Sequence, residues 1–170
     1  MRGQLGMTLL EMAFTLAIAI VLVTVAVPGM LDWIRDVRQD TGVLDMVSYL
    51  NYARSEAVKR GYRVTVCPSE DGARCLGQAI WEKGWIAFDD VDGDGTVDTH
   101  EDVLRVHGPL AASDTLRGGR HRITYQSSGF SRGFNDTLKL CDGRGNEKAT
   151  SMVISMQGRV RIQAGAKTCP

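Results

Sequence analysis

The chain has 170 residues, of which 44% are apolar and 24% charged. That composition fits one globular domain and excludes a disordered chain or a pair of catalytic domains. Twenty Lys and Arg balance twenty Asp and Glu, so the formal net charge is zero and a protein that binds polyanions over its whole surface is excluded. The charge is segregated: residues 89–102 hold seven acids and no Lys or Arg, and residues 116–170 hold ten bases against three acids, a net of +7. Any nucleic-acid contact therefore has to come from a local patch.

From Met7 to Val27 there are 21 residues whose only charge is Glu11. A helix of that length spans roughly 30 Å, one hydrocarbon core. Arg2 in the six preceding residues marks the cytoplasmic flank, which places the chain after Val27 outside the cytoplasm. A cleaved secretory signal fits poorly, because Pro28 follows Ala26-Val27 where a small residue is needed. A plain anchor leaves Glu11 unexplained, since a carboxylate within a bilayer costs a few kcal/mol.

The segment Gly6-Met7-Thr8-Leu9-Leu10-Glu11 resembles the leader junction of type IV prepilins. The resemblance implies cleavage after Gly6 by a prepilin peptidase and methylation of the new N-terminal Met7, where phenylalanine is the usual residue. Glu11 becomes the fifth mature residue and Pro28 the twenty-second, a place where pilins commonly carry a helix-kinking proline. In a filament Glu11 can pair with the Met7 amine of a neighbouring subunit; a paired carboxylate in apolar surroundings is far less costly than a lone one. Both residues are thereby implied in assembly.

Trp33 to Arg60 continues with helical periodicity. Val37, Leu44, Val47, Leu50, Ala53, Ala57 and Val58 predict one buried stripe, with Asp36, Arg38, Asp40, Arg54, Glu56 and Lys59 mostly elsewhere. Gly61 is a natural stop. Beyond it the period falls to two. Short strands are predicted at 62–67, 84–88, 103–106, 122–125, 137–141, 152–155 and 159–162, with 108–120 as a surface loop. The expected architecture is α+β, a long N-terminal helix whose outer half packs on an antiparallel sheet. The expected organisation is a leader at 1–6, a transmembrane or filament-core helix at 7–31, an amphipathic helix at 32–61 and an extracytoplasmic β-rich head at 62–170.

Cys67, Cys75, Cys141 and Cys169 lie on the extracytoplasmic side, where an oxidising compartment favours two disulfides. No pair has the Cys-x-x-Cys spacing of a zinc ribbon or redox motif. Three connectivities are open. The local pair Cys67–Cys75 across a turn-rich segment is the expected one, which leaves Cys141–Cys169 to hold the C-terminus, a closure worth roughly 3 kcal/mol in chain entropy.

Leu50-Asn-Tyr-Ala-Arg-Ser-Glu-Ala-Val-Lys-Arg-Gly61, Val64-Thr-Val-Cys-Pro-Ser69, Gly84-Trp-Ile-Ala-Phe88 and Gly158-Arg-Val-Arg161 before a terminal cysteine resemble the FimT/FimU minor pilins and the related GspH pseudopilins of type II secretion. The resemblance covers essentially the whole chain and implies the type IV pilin fold. It further implies a non-enzymatic subunit that primes or caps a type IV pilus, and sequence-independent DNA binding for uptake in natural transformation through the Gly-Arg-x-Arg segment. The implied partners are other major and minor pilins, the prepilin peptidase, the inner-membrane assembly platform and DNA. The implied location is the inner membrane, single-pass with a periplasmic head, and then the pilus tip or cell surface. The alternative is a GspH-like pseudopilin of a type II secretion system, which needs no DNA contact.

The physical reading of that segment is compatible with DNA. On a strand, Arg159 and Arg161 share a face roughly 7 Å apart, near the spacing of successive phosphates. Gly158 permits close backbone approach, and Lys139, Arg144, Lys148 and Lys167 could extend the patch. The competing reading is a solvated strand face.

The stretch Asp90-Val-Asp92-Gly-Asp94-Gly95-Thr96-Val-Asp98-Thr-His-Glu101 follows the ligand order of an EF-hand loop: Asp at positions 1, 3, 5 and 9, Gly at 6 and Glu at 12. Its flanks read as strands, so calcium at Asp90, Asp92, Asp94, Thr96, Asp98 and Glu101 competes with a solvated acidic turn. No cofactor is otherwise required. The three histidines, His100, His107 and His121, accompany no nucleophile elbow, metalloprotease helix or phosphate loop. Surface placement is expected for His100 and His107.

Overall fold

The structure, a computed structural model, describes residues 8–165, 168 and 169. Gly6, Met7 and Lys167, named above as functional candidates, lie outside the described residues. One helix, α1, runs from Leu9 to Arg60 and continues through Pro28. Thr8 opens it, its Oγ1 accepting the Glu11 backbone N–H at 3.3 Å, as an N-cap hydroxyl does. Gly61 ends it in the left-handed region at φ 79°, its N–H donating to the Ala57 carbonyl.

The chain divides into two compact units, residues 1–38 and 39–170. In the first, every residue from Thr8 to Arg38 is exposed. The second contains the remaining helix turns and eight strands: β1 Val64–Pro68, β2 Trp85–Asp89, β3 Val103–His107, β4 Thr115–Arg117, β5 Ile123–Tyr125, β6 Asp136–Cys141, β7 Thr150–Ile154 and β8 Val160–Ala164. They form two four-stranded sheets, in orders β3-β2-β1-β5 and β4-β6-β7-β8. Every pairing is antiparallel. All seven expected strands are present. The expected surface loop at 108–120 is corrected, because it contains β4, with Leu116 wholly buried.

The helix is the common core for both sheets. Val43, Met46, Tyr49, Leu50, Ala53 and Ala57 are buried against Val64, Val66, Trp85 and Ala87 of the first sheet and Leu116, Leu138, Leu140, Met152 and Ile154 of the second. The stripe predicted from sequence is therefore shifted. Val37, Leu44 and Val58 are 48%, 61% and 54% exposed, whereas Glu56 is buried. The reason is polar anchoring at both ends of the stripe. Gln39 donates to the Lys148 carbonyl at 2.8 Å, and Glu56 accepts Arg60 Nε at 2.6 Å, while Arg60 Nη1 lies 3.7 Å from Asp89 Oδ2 of β2. Gly42 fits because a Cβ there would already stand 3.3 Å from Leu140 Cδ2.

Strands β1 and β2 are buried on both faces. Val64, Val66, Trp85 and Ala87 turn to the helix. Cys67, Ile86 and Phe88 form a second small core with Cys75, Val97 and Val103 on the far side. A disulfide joins Cys67 to Cys75 under that core, and another joins Cys141 to Cys169. The strongly alternating pattern read from Tyr62–Cys67 is thus not a wet face and a dry one, since Thr65 is covered and satisfied by Asp90 and Thr124.

Candidate functional site

Three regions carry the chemistry read from the sequence: the apolar helix with its single acid, the basic turn before β8, and the acidic loop between β2 and β3. The described part of the first is a helix with a mean hydropathy of 2.5 over its most apolar window and no residue of that window buried. It is long and apolar enough to cross a membrane. Glu11 lies in its first turn, exposed, and Pro28 in its interior.

The basic turn joins β7 to β8. Ser155 N donates to the Arg159 carbonyl at 2.9 Å and Gly158 N to the Ser155 carbonyl at 2.8 Å, which closes the hairpin. Arg159 and Arg161 are exposed. Neither has an acidic partner among the described residues, so both guanidinium groups are available to an outside anion. Gly158 has a different role from the one expected. It is buried at φ 75°, and a Cβ there would stand 2.2 Å from the Gly129 carbonyl oxygen. The close backbone approach it permits is to the 126–130 turn, inside the protein.

That abutment brings in arginines the sequence reading passed over. Arg54 of α1 donates from Nε to the Gly129 carbonyl at 3.0 Å and lines one groove with Asn51, Gln157, Arg159 and Arg161. Arg132 extends from the next turn, its guanidinium 5.1 Å from the Phe130 ring centre. Ser131 N, beside both, bonds the Met156 carbonyl. The available signal was topological: Arg54 falls on the helix flank beside the stripe, and only strand order reveals that β8 is the edge strand nearest it.

The other proposed bases do not gather there. Arg144 is committed to Asp142, Nη2 to Oδ2 at 2.5 Å, with its side chain 13% exposed. Burial of Asp142 pushes its carboxyl up, but the Arg144 bonds and charge outweigh this and hold it below the usual range. Lys148 is exposed on the far segment whose carbonyl anchors Gln39. Lys139 shares the outer face of its sheet with Arg161, because Thr137 pairs with Val153 and Val153 with Arg161. The two bases are then two strands and one residue pair apart, roughly 12 Å. Lys139 Nζ donates to Thr168 Oγ1 at 3.3 Å.

In the acidic loop, the ligand oxygens of Asp90, Asp92 and Asp94 all lie within 4.8 Å of one another. Thr96 holds the Asp94 carboxyl below its usual range by hydrogen bonds from its hydroxyl and backbone. Burial pushes the Glu101 carboxyl up, and the charges of Asp90 and Asp98 add to this. Of the histidines, His100 and His121 are exposed. His107 departs from its expected surface placement: it is stacked on Trp85, ring centres 3.8 Å apart, with Asp45 3.4 Å from Nε2.

The family described as type II transport protein GspH matches residues 43–158. The chain belongs to the GspH family. Among solved structures, that of the Pseudomonas aeruginosa type IV minor pilin FimU aligns with a TM-score of 0.62 at 20% identity, over 78% of this chain and 95% of the other. The Vibrio cholerae type II secretion minor pseudopilin EpsH aligns with a TM-score of 0.52 at 15% identity, over 75% of this chain and 97% of the other. At such identities the likeness establishes the type IV pilin fold for this GspH-family chain. No curated protein matches the chain by sequence.

Proposed function

We propose that this chain is a minor pilin, a non-enzymatic subunit that sits in the inner membrane with its head in the periplasm and then enters a type IV pilus near its tip. The observation that carries the reading is the exposed helix: the large apolar residues from Leu9 to Leu31 are exposed among the described residues. Such a surface is stable in lipid or against other helices, and in water it is not. The single carboxylate between Leu9 and Leu31, Glu11, gains from a cationic partner. The Met7 amine of a neighbouring subunit, created by cleavage after Gly6, is that partner. Other pilins, the prepilin peptidase and the assembly platform are the corresponding contacts.

DNA is the further ligand in this reading, met by Arg159 and Arg161 with Arg54 and Arg132 beside them. Four arginines with no acidic partner among the described residues suit phosphates at any sequence. The second reading is a pseudopilin of a type II secretion system, favoured by the description of the matching family.

Two measurements separate these readings. Deleting the gene abolishes surface pili and transformation if the chain is a minor pilin, and blocks release of secreted proteins with pili intact if it is a pseudopilin. For DNA, the Arg159→Gln/Arg161→Gln double variant keeps its fold and loses retention in a gel shift. Its slope of log affinity against log salt shrinks by about two, one released counterion for each lost phosphate contact. Unchanged DNA binding by this variant moves the interface elsewhere, and no binding by the unmodified protein at low salt removes it.

A further inference from the structure

The acidic loop is built more firmly than a solvated turn requires. Its neck is closed by the Asp89 N–H donating to the Asp102 carbonyl at 3.2 Å and by the Asp102 N–H donating back to Asp89 Oδ1. Twelve residues, 90–101, lie between. Midway, Val97 packs on the small core of Cys67, Ile86 and Phe88, which pins the loop to the far face of the first sheet. Asp90 is wholly buried. Its Oδ1 accepts the Gly95 N–H at 3.2 Å and its Oδ2 the Thr65 hydroxyl at 2.5 Å.

The independent observation is at the other end of the loop. Glu101 is 9% exposed, and its Oε1 accepts the Val91 N–H at 2.7 Å. That bond ties the carboxylate to the backbone next to Asp90, and the charges of Asp90 and Asp98 act on it. Its second oxygen, Oε2, is buried without a hydrogen-bond partner among the described residues. A buried carboxylate oxygen that is left without a donor, on the acidic side of a folded loop, costs free energy unless a cation meets it.

The neighbouring arginines do not supply that cation. Arg63 Nη1 donates to the Asp92 carbonyl at 3.1 Å, and Arg122 Nη1 donates to the Asp94 carbonyl. They brace the backbone from outside, where Gly93 and Gly95 leave room that a Cβ would fill. The carboxylates of Asp90, Asp92, Asp94, Asp98 and Glu101 make no ion pair with a base among the described residues.

We propose that residues 90–101 bind calcium, with side-chain oxygens from Asp90, Asp92, Asp94 and Glu101, the Thr96 backbone carbonyl, and Asp98 directly or through a water. The chemistry selects the ion. All the donors are oxygen, which favours a hard cation over zinc or copper. Five carboxylates and one carbonyl offer six to eight oxygens, the number calcium takes. Magnesium demands a tight octahedron and keeps its waters. The stem is a strand pair instead of two helices, so the ion fixes the β2–β3 connection on the second core and opens no groove. An affinity in the range of extracellular modules, about 0.1–1 mM, suits a site that need only be filled outside the cytoplasm.

The test uses the full chain in detergent, stripped with chelator and titrated by calorimetry with calcium chloride, and separately with magnesium chloride. The expected result is one calcium per chain, weak or absent magnesium binding, and a melting temperature higher in calcium than in chelator. Glu101→Gln, and Asp92→Asn/Asp94→Asn at two exposed positions, each weaken calcium by about tenfold or more. Should Glu101→Gln fail to fold, the exposed double variant decides the matter. The proposal is overturned if no calcium binds below about 10 mM, if magnesium binds equally well, or if the double variant binds calcium like the unmodified protein.

Discussion

The two halves of α1 have the same backbone and opposite surroundings. Residues 9–38 include the most apolar window of the chain and are exposed throughout. Residues 39–57 include Gln39, Gly42 and Glu56 in the buried stripe. Hydrophobicity alone therefore does not predict burial within this chain. What decides it is whether the head offers a facing surface, as it does at Leu50 with the strands of both sheets. The apolar half has a surface that suits lipid or other helices, and the mixed half packs within its own domain.

The sharpest way to break this comparison is to cut the same side chain in each half. Leu50 is wholly buried and Leu22 is 60% exposed. Leu50→Ala leaves a cavity among close-packed neighbours and lowers head stability by about 2–5 kcal/mol. Leu22→Ala leaves the unfolding of the head unchanged. Circular dichroism melts of the two variants in detergent measure both effects, and comparable losses would show that the halves are energetically one unit.

A second test sharpens the polar anchoring of the buried half. Glu56 is held below its usual range, first by the Arg60 hydrogen bond and then by the Lys59 and Arg60 charges, against the cost of burial. A depressed carboxylate contributes stability above its unfolded value, near 4.5, and that contribution is lost as pH falls through the folded value. Melting temperature should therefore drop between pH 6 and pH 3 more steeply in the unmodified protein than in Glu56→Gln. Equal slopes would mean the Glu56–Arg60 contact adds no stability.

Much of this was legible in the sequence because local rules suffice. The change of period at Gly61 marks the end of the helix, and all seven strands expected from alternation exist. The strand Thr115–Arg117 escaped because three residues show no period, and its pairing with Cys141–Lys139 is a tertiary fact. Three of the seven stripe positions, Val37, Leu44 and Val58, were misplaced, because an apolar side chain does not show by itself which flank faces the sheets, and Val43 beside Leu44 is the one that does. The candidate basic patch was half legible: Arg159 and Arg161 have no acidic partner among the described residues, but Arg144 already has its acid in Asp142, a pairing two residues away that spacing alone leaves ambiguous. Arg54 joined the patch through a turn 75 residues distant, which no local pattern encodes.

The smallest expected effect on stability concerns the apolar helix positions exposed on the head. Leu44 and Val58 are fourteen residues apart, hence on one helix flank, and each is more than half exposed. Within the head, Leu44 contributes little, and Leu44→Ser should change the melting temperature by no more than a surface substitution does, within about 0.5 kcal/mol. In a filament the same flank is where a neighbouring helix can pack, so the variant should be processed and folded and yet be recovered in sheared surface filaments at a lower level than the unmodified chain. Both readouts are needed, since a drop in filament recovery together with a destabilised head would only report misfolding. If stability and filament recovery are both unchanged, the flank is an ordinary scatter of exposed apolar residues. The contrast between the two helix halves would then end at residue 38, one residue before the second unit begins.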